Sequence, residues 1–453
     1  MKCNNSVFKI KEIHAKAQKE KNMSLGYPIN QKFDYSIMSQ LLSVNFNNIG
    51  DPFSNASTLL HTHELEQEVL DHFRKTWNAN PRTPLTSESF WGYILSMGAT
   101  EGNMYALWSA RQYLYEIRQS ELNSRSINVD PVVFYSEESH YSIKKCMNIL
   151  GLKSFQEIGE SSYPYMCPIT EDGSWPHAVP INKDGAIEVE CLSKLVDFFS
   201  RHSHQSIFVF NLGSTFRGAF DNVPVIWEKL SQTLRLNGFS IGANENSKQN
   251  FWIHIDGALG ASYLSFLEIA YRYNISKVRG PVFDFRLPYV NSIVMSFHKW
   301  FGAPFASGIY MSKEKYRICQ DNVQYINSVD STLGGTRNGL SAILMWYEIN
   351  SRPSIVQAKI AADCEQLAEY AFSKMEKIKL THPSFYVCRA PQSLVVFFSR
   401  PNIKIFQQFH LSAKNNLAHI VVMPHVTRPI IDLLIERLHE EDAFTEEGNC
   451  HEM

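Results

Sequence analysis

The chain has 453 residues, 44% of them hydrophobic and 19% charged, with a formal net charge of -2. That length suffices for one large domain and a smaller one, and the composition is that of an ordinary globular protein, neither disordered nor fibrous. The near-zero charge excludes the basic footprint expected of a protein that binds nucleic acid or an anionic membrane.

Residues 1–22 mix Lys, Glu, Asn and Gln without a continuous apolar core, so no secretory signal peptide is expected there. The first fifty residues are polar, and Tyr27-Pro28 and Gly50-Asp51-Pro52 punctuate the entry to a compact region. Apolar residues at helical spacing (Leu65, Val69, Leu70, Phe73, Trp77) predict an amphipathic helix over 64–77. Short apolar runs at 91–96, 132–136, 207–212, 252–256, 292–296 and 307–311 then alternate with helical stretches. That alternation predicts α/β units around a largely parallel sheet buried on both faces. Residues 232–250, rich in Asn, Ser and Gly, read as a surface insertion between a helix and a strand. Beyond 350 the pattern predicts a long helix over 354–378, strands at 393–398 and 421–423, and a closing helix over 429–440, together a second, smaller α/β layer.

No apolar run approaches the roughly 18–20 residues of a membrane span. The eight cysteines (3, 146, 167, 191, 319, 364, 388 and 450) are scattered without metal-like spacing, so the expectation is reduced thiols in a soluble, cytoplasmic protein, with no metal site.

Two positions carry the chemistry. Asp256 closes the apolar run 252–256, and Lys299 follows the run 292–296 in Ser296-Phe297-His298-Lys299-Trp300. A lysine and an aspartate at neighbouring strand ends are the two groups that pyridoxal 5′-phosphate (PLP) requires: the amine bonds to its aldehyde, and the carboxylate keeps its ring nitrogen protonated. A carboxylate this deep is costly unless a cation pairs with it. An arginine or backbone donors would serve as well as a pyridinium. Ser296 and His298 stand where they can hold the phosphate, and a lysine in a desolvated pocket loses pKa and becomes nucleophilic.

Three further segments stand after predicted strands. Gly98-Ala99-Thr100-Glu101-Gly102-Asn103 opens a helix with small residues, which lets backbone N–H groups approach a phosphate; it also fits an ordinary capped helix start. His140 follows the run 132–136, where a flat ring can stack on a pyridine or meet a substrate carboxylate, although a lone histidine there also suits a plain surface loop. In Asn211-Leu212-Gly213-Ser214-Thr215 the hydroxyls can reach the cofactor's phenolic oxygen or simply cap a turn.

The ordered set Gly98–Asn103, Ser139-His140-Tyr141-Ser142, Gly213–Asp221, Asp256-Gly257-Ala258 and Ser296–Lys299 resembles the group II PLP-dependent amino-acid decarboxylases. It looks most like the branch with histidine, serine, valine and methionine decarboxylases, the last set nearest through Phe283–Pro288 and Val422–Arg428. The resemblance spans roughly 25–440 and implies a fold-type I, aspartate aminotransferase-like architecture. That architecture has a large, mostly parallel seven-stranded sheet, a smaller C-terminal α/β domain, and a homodimer with shared active sites. The division it implies is an N-terminal arm over 1–60, a PLP-binding domain over 61–312, and a mobile loop, dimer segment and small domain over 313–453.

By the same resemblance Lys299 bonds to the cofactor, Asp256 pairs with its ring nitrogen, and His140 stacks on the ring. The phosphate falls to Gly98, Ala99, Thr100, Glu101, Ser296 and His298, with Gly335 and Thr336 reaching the neighbouring subunit's phosphate. Ala258 and Thr215 lie beside the ring. Tyr325, in Gln324-Tyr325-Ile326, would return a proton to the carbon that loses CO2. His61, His63 and Phe53 would meet the substrate, which Phe53, Leu60 and Trp91 incline towards methionine, valine or leucine, histidine and serine staying open.

The activity so implied is α-decarboxylation of an L-amino acid to its primary amine. The alternatives are decarboxylation coupled to oxidative deamination, giving an aldehyde, and an inactive partner subunit. Departures from the family pattern (Ser214, Phe297, Ala306-Ser307 and the long 232–250 segment) remove no group that the chemistry needs but bear on the substrate.

Overall fold

The computed structural model describes residues 2–54, 59–83, 86–121, 130–242, 248–318 and 322–445. Part of the expected insertion (243–247) and Cys319 and Cys450 lie outside the described residues.

Seven strands form the main sheet: β1 (Phe90–Leu95), β2 (Val132–Phe134), β3 (Lys153–Ser154), β4 (Ser206–Asn211), β5 (Phe251–Asp256), β6 (Ser292–Ser296) and β7 (Gly308–Lys313). Their order across the sheet is β1-β7-β6-β5-β4-β2-β3. From β6 to β3 every pairing is parallel, whereas β7 runs antiparallel to both of its neighbours. The link 297–307 is too short for a parallel crossover, so the chain turns straight back. β1, β4 and β5 are buried at every residue, which is why each reads as an unbroken apolar run.

Register decides what this sheet offers to chemistry. Asn211 pairs with Asp256, Asp256 with Val294, and both Ser296 and Leu95 with Gly308. The last residues of β1, β4, β5 and β6 therefore share one edge, where α/β sheets present their ligand sites.

The first four helices are α1 (Lys2–Glu20), α2 (His63–Thr76), α3 (Ala99–Glu121) and α4 (Ser142–Leu150), of which α3 and α4 begin at that edge. α2 buries Val69, Leu70 and Phe73 on one stripe, with Glu64 and Glu66 in its first turn and Arg74 and Lys75 in its last, the charge order that a helix dipole favours. α1 had no periodic signal, and its Val7, Phe8, Ile10 and Ile13 are exposed.

After a short hairpin, β8 (Asn322–Val323) and β9 (Ser328–Val329), come a helix over Ser354–Met375 and an antiparallel sheet. That sheet has the order β10 (Val387–Cys388), β11 (Val395–Ser399), β13 (Leu417–Val421), β12 (Ser412–Lys414). The strand expected at 421–423 ends at Val421: Met423 N–H bonds back to the Val421 carbonyl, and the chain turns there.

A strap from the N-terminus ties the two sheets together. Leu25 and Gly26 donate N–H groups to the Phe409 and His410 carbonyls, and Leu25 accepts from Val421 N–H. Five residues on, Asn30 N–H donates to the Lys299 carbonyl at 2.9 Å, and its Nδ2 to the Trp300 carbonyl at 3.0 Å. Among the described residues, no helix is long and apolar enough to cross a membrane.

Candidate active site

A cleft of about 260 Å³ opens at the shared strand edge. Asp256 ends β5 at its floor. Oδ2 accepts from Asn103 Nδ2 at 2.9 Å, and Oδ1 from the Ala258 backbone N–H at 3.3 Å. Among the described residues no lysine or arginine closes an ion pair with this buried carboxylate. It fits the protonated ring nitrogen of PLP as its direct cationic partner.

Lys299 sits on the single helical turn Phe297–Trp300, directly after β6. Phe297 and Trp300 are sealed in the core, so the turn is rigid and Lys299 is aimed into the cleft. Desolvation lowers the Lys299 pKa, and the Asp256 charge opposes that shift only in part. The amine is thereby shifted towards its uncharged, nucleophilic form.

The phosphate cradle expected around Gly98 also has a physical signature. Gly98 has φ of +64°, and a Cβ there would stand 2.7 Å from His298 Cε1 and 3.4 Å from Ser296 Oγ. Only glycine lets the start of α3 approach the Ser296–His298 turn this closely. Ala99 N–H donates to Ser296 Oγ at 3.0 Å, and Ala99, Thr100, Ser296 and His298 all line the cleft. Burial lowers the His298 pKa; the Ser307 backbone opposes that, and the Lys299 charge adds to it. Hydroxyls and first-turn N–H groups of a helix suit a phosphate.

Glu101 does not join them. Its carboxylate turns back to accept from Ser96 N–H at 2.7 Å and Met97 N–H at 2.9 Å, and burial raises its pKa. It shapes the loop rather than facing the cleft.

His140 lies on the opposite flank with its Nδ1 2.7 Å from Ser142 Oγ. Desolvation lowers its pKa; the Asp256 charge opposes this and the Lys299 charge reinforces it. Ala258 and the exposed Thr215 line the cleft as well. Asp221, wholly buried, accepts Ile187 N–H at 2.7 Å and Asn211 N–H at 2.6 Å, closing the loop that carries Thr215. Burial pushes its pKa up to about 6.

The remaining expected residues are elsewhere. Tyr325 is 79% exposed in the β8–β9 turn and lines no part of this cleft. Gly335 and Thr336 are exposed on the segment before Arg337. Phe53 packs on Phe90 and under the Arg82 guanidinium. His63 is buried beside His61, ring centroids 4.7 Å apart, with both ring nitrogens unpartnered among the described residues. Trp91, expected beside the substrate, is fully buried, stacked on Tyr105 and bonded to Asp51, and does not line this cleft.

Two groups of residues were missed. Asn103, on the cleft, and His254, buried behind it, stood inside the motifs without a role. The apolar wall of Pro28, Leu394, Val395 and Val421 comes from the strap and the second sheet, which no local pattern connects to Lys299.

Comparison with known proteins agrees with this geometry. Residues 29–360 match the pyridoxal-dependent decarboxylase conserved domain. Histidine decarboxylase of Solanum lycopersicum is 28% identical over 427 residues, 94% of this chain and 86% of the relative. Serine decarboxylase 2 of Oryza sativa subsp. japonica is 28% identical over 433 residues, 94% of this chain and 76% of the relative. A crystal structure of L-methionine decarboxylase from Streptomyces sp. 590 superposes with a TM-score of 0.87 at 31% identity, covering 96% of this chain and 94% of that one.

Proposed function

The chain belongs to the group II PLP-dependent amino-acid decarboxylases, and from that premise we propose that it converts an apolar L-amino acid to its primary amine and CO2. Methionine is the first candidate, then valine or leucine, then histidine. One observation carries the choice: the wall of Pro28, Met97, Leu394, Val395 and Val421 is apolar, and among the described residues the formally charged side chains on the cleft are Asp256 and Lys299. A substrate with a charged side chain would find no counter-ion there once both are engaged.

When bound, PLP supplies an aldehyde and an electron-withdrawing ring that accepts the electrons left by the departing carboxylate. The chain's own groups do the rest. Lys299 would supply the uncharged amine that holds the cofactor through its aldehyde. Asp256 would keep a proton on the ring nitrogen. Ala99, Thr100, Ser296 and His298 would hold the phosphate, and Thr215 would lie near the ring hydroxyl. His140 would stack on the ring and help to orient the substrate carboxylate.

Tyr325 returns the proton to the substrate carbon. Its exposure outside the cleft of its own chain supports a homodimer in which it serves the site across the interface, beside Gly335 and Thr336. A tyrosine at this point favours amine over aldehyde as product. Cys146, Cys167, Cys191, Cys364 and Cys388 are free thiols, which supports a reducing, cytoplasmic setting.

The test is CO2 and amine release by PLP-loaded enzyme across the twenty amino acids, beside Lys299→Ala. Release with methionine or a branched apolar substrate, lost in the variant, is expected. Release confined to serine or to a charged amino acid would overturn the substrate reading, and silence on all twenty would overturn the activity.

A further inference from the structure

A line of polar side chains joins Asp256 to His140, and the roles above do not use its linking residues Asn103, Ser142, His254 and Ser292. Its hub is Asn103 in the first turns of α3, only 1% exposed. Asn103 Nδ2 donates to Asp256 Oδ2 at 2.9 Å and to Ser142 Oγ at 3.2 Å. Its Oδ1 lies 2.9 Å from His254 Nε2, and His254 Nδ1 lies 2.8 Å from Ser292 Oγ. Ser142 Oγ in turn lies 2.7 Å from His140 Nδ1.

The direction of every proton in this line follows from what each group can do. A carboxylate accepts, so the amide of Asn103 turns its NH2 to Asp256 and its carbonyl to His254. A carbonyl accepts, so His254 carries its proton on Nε2. Burial holds that ring neutral, with its pKa pushed down to about 4, so the bare Nδ1 takes the Ser292 hydroxyl proton. On the other branch the second Asn103 N–H is directed to Ser142 Oγ, which leaves the Ser142 hydroxyl proton for His140. The Ser142 backbone N–H also points at His140 Nδ1, at 3.3 Å. With two donors converging on Nδ1, the one proton of the neutral imidazole resides on Nε2.

We propose that Asn103 is a positioning residue that orients Asp256 and, through Ser142, commits His140 to the tautomer with its proton on Nε2. The proposal rests on the assignment of Asp256 and His140 to the cofactor ring. His140 then presents an N–H donor to the cleft, able to anchor a carboxylate. The opposite tautomer would present a bare nitrogen and repel one. A single amide thus serves both the ring nitrogen and the face of the ring. Burial lowers the His140 pKa, the Asp256 charge opposing this and the Lys299 charge adding to it, so the ring is held neutral and its hydrogen bonds decide where the one proton sits.

The experiment uses the PLP-loaded enzyme with Ser142→Ala and Asn103→Ala, after CO2 release by the wild type and its loss in Lys299→Ala have been checked. Ser142→Ala removes one oxygen and leaves Asp256 bonded. It is expected to move the acid limb of kcat/KM to higher pH and to lower kcat about tenfold, the worth of one hydrogen bond near 1.4 kcal/mol, leaving the cofactor's absorbance unchanged. Asn103→Ala is expected to move the acid limb and the absorbance together. Nitrogen-15 spectra of labelled histidines, with His140→Gln for assignment, read the tautomer without turnover. A proton on Nδ1 of wild-type His140, or a Ser142→Ala enzyme whose acid limb, kcat and His140 spectrum all match the wild type, overturns the proposal even if Asn103→Ala does not fold. A wild type that releases no CO2 overturns the assigned activity instead, and the nitrogen-15 arm still decides the role of Asn103.

Discussion

Arg337 and Glu66 form an ion pair from which water is excluded, their side chains 2% and 0% exposed. The guanidinium also donates to the Ile94 carbonyl at 3.3 Å and the Gly50 carbonyl at 3.1 Å. Glu66 accepts from Ile94 N–H at 2.9 Å and Asn48 Nδ2 at 2.8 Å. One pair therefore gathers the N-terminal segment, α2, β1 and the Gly335–Thr336 segment. Arg337→Met leaves a carboxylate buried without its cation and is expected to cost about 3–5 kcal/mol. Urea unfolding checks this, and adding Glu66→Met to the variant should restore part of the loss.

Stability should also fall in mild acid. Burial is the main cause that pushes His63, His72 and His254 down to about 4. Unfolded histidine titrates near 6.5. Above that pH both states are neutral and nothing changes. As pH falls from about 6.5 to 4 the unfolded chain takes up protons that the folded chain refuses, so folding weakens. Three such groups give at most about 4 kcal/mol per pH unit. Melting temperatures measured from pH 7 to pH 5 should drop, and His254→Gln should flatten the slope by one proton.

Gly98→Ala should act on the cofactor more than on the fold. The added Cβ meets His298 in a left-handed backbone. A strain of about 1–2 kcal/mol at the phosphate cradle corresponds to roughly tenfold weaker PLP binding. Equilibrium dialysis of PLP reads it directly, and an unchanged Kd would remove the cradle from this position.

If Tyr325 serves the partner's site, two defective chains should repair each other. Lys299→Ala and Tyr325→Phe homodimers should each form little amine. Mixed and re-associated, half of the dimers pair unlike chains, and each of those holds one intact site, so amine formation should recover to about a quarter of wild type. No recovery, with hybrid dimers demonstrated by mass, would assign Tyr325 to its own chain.

The strands were legible because a strand covered on both faces is mostly apolar, and Asp256 and Lys299 stood out as charges at or just beyond the ends of such runs. Glycine 98 was legible for a related reason, since only a residue without Cβ fits where two segments nearly touch. Asn103 was not. It looked like one more polar residue in a helix start, and its worth depends on the register that brings His254 and Asp256 of β5 under α3. The wall of Pro28, Leu394 and Val421 was hidden more deeply, because it joins segments almost four hundred residues apart. Exposed α1 was not read either, since its few apolar residues (Val7, Phe8, Ile10 and Ile13) are scattered among Lys, Glu and Asn and face solvent.

The strap through Leu25, Gly26 and Asn30 has a consequence for the order in which the molecule is made. These residues leave the ribosome well before their partners at 409, 410 and 421. Asn30 can reach the backbone of Lys299 earlier, but the strap that carries it is not pinned at Leu25 and Gly26 until residue 421 has been made. The turn that bears Lys299 thus receives its last fastening through a segment made long before it. Contacts of such long sequence separation form slowly. A nascent chain arrested before residue 409 would have its main sheet in hand and the strap beside its lysine still unpinned.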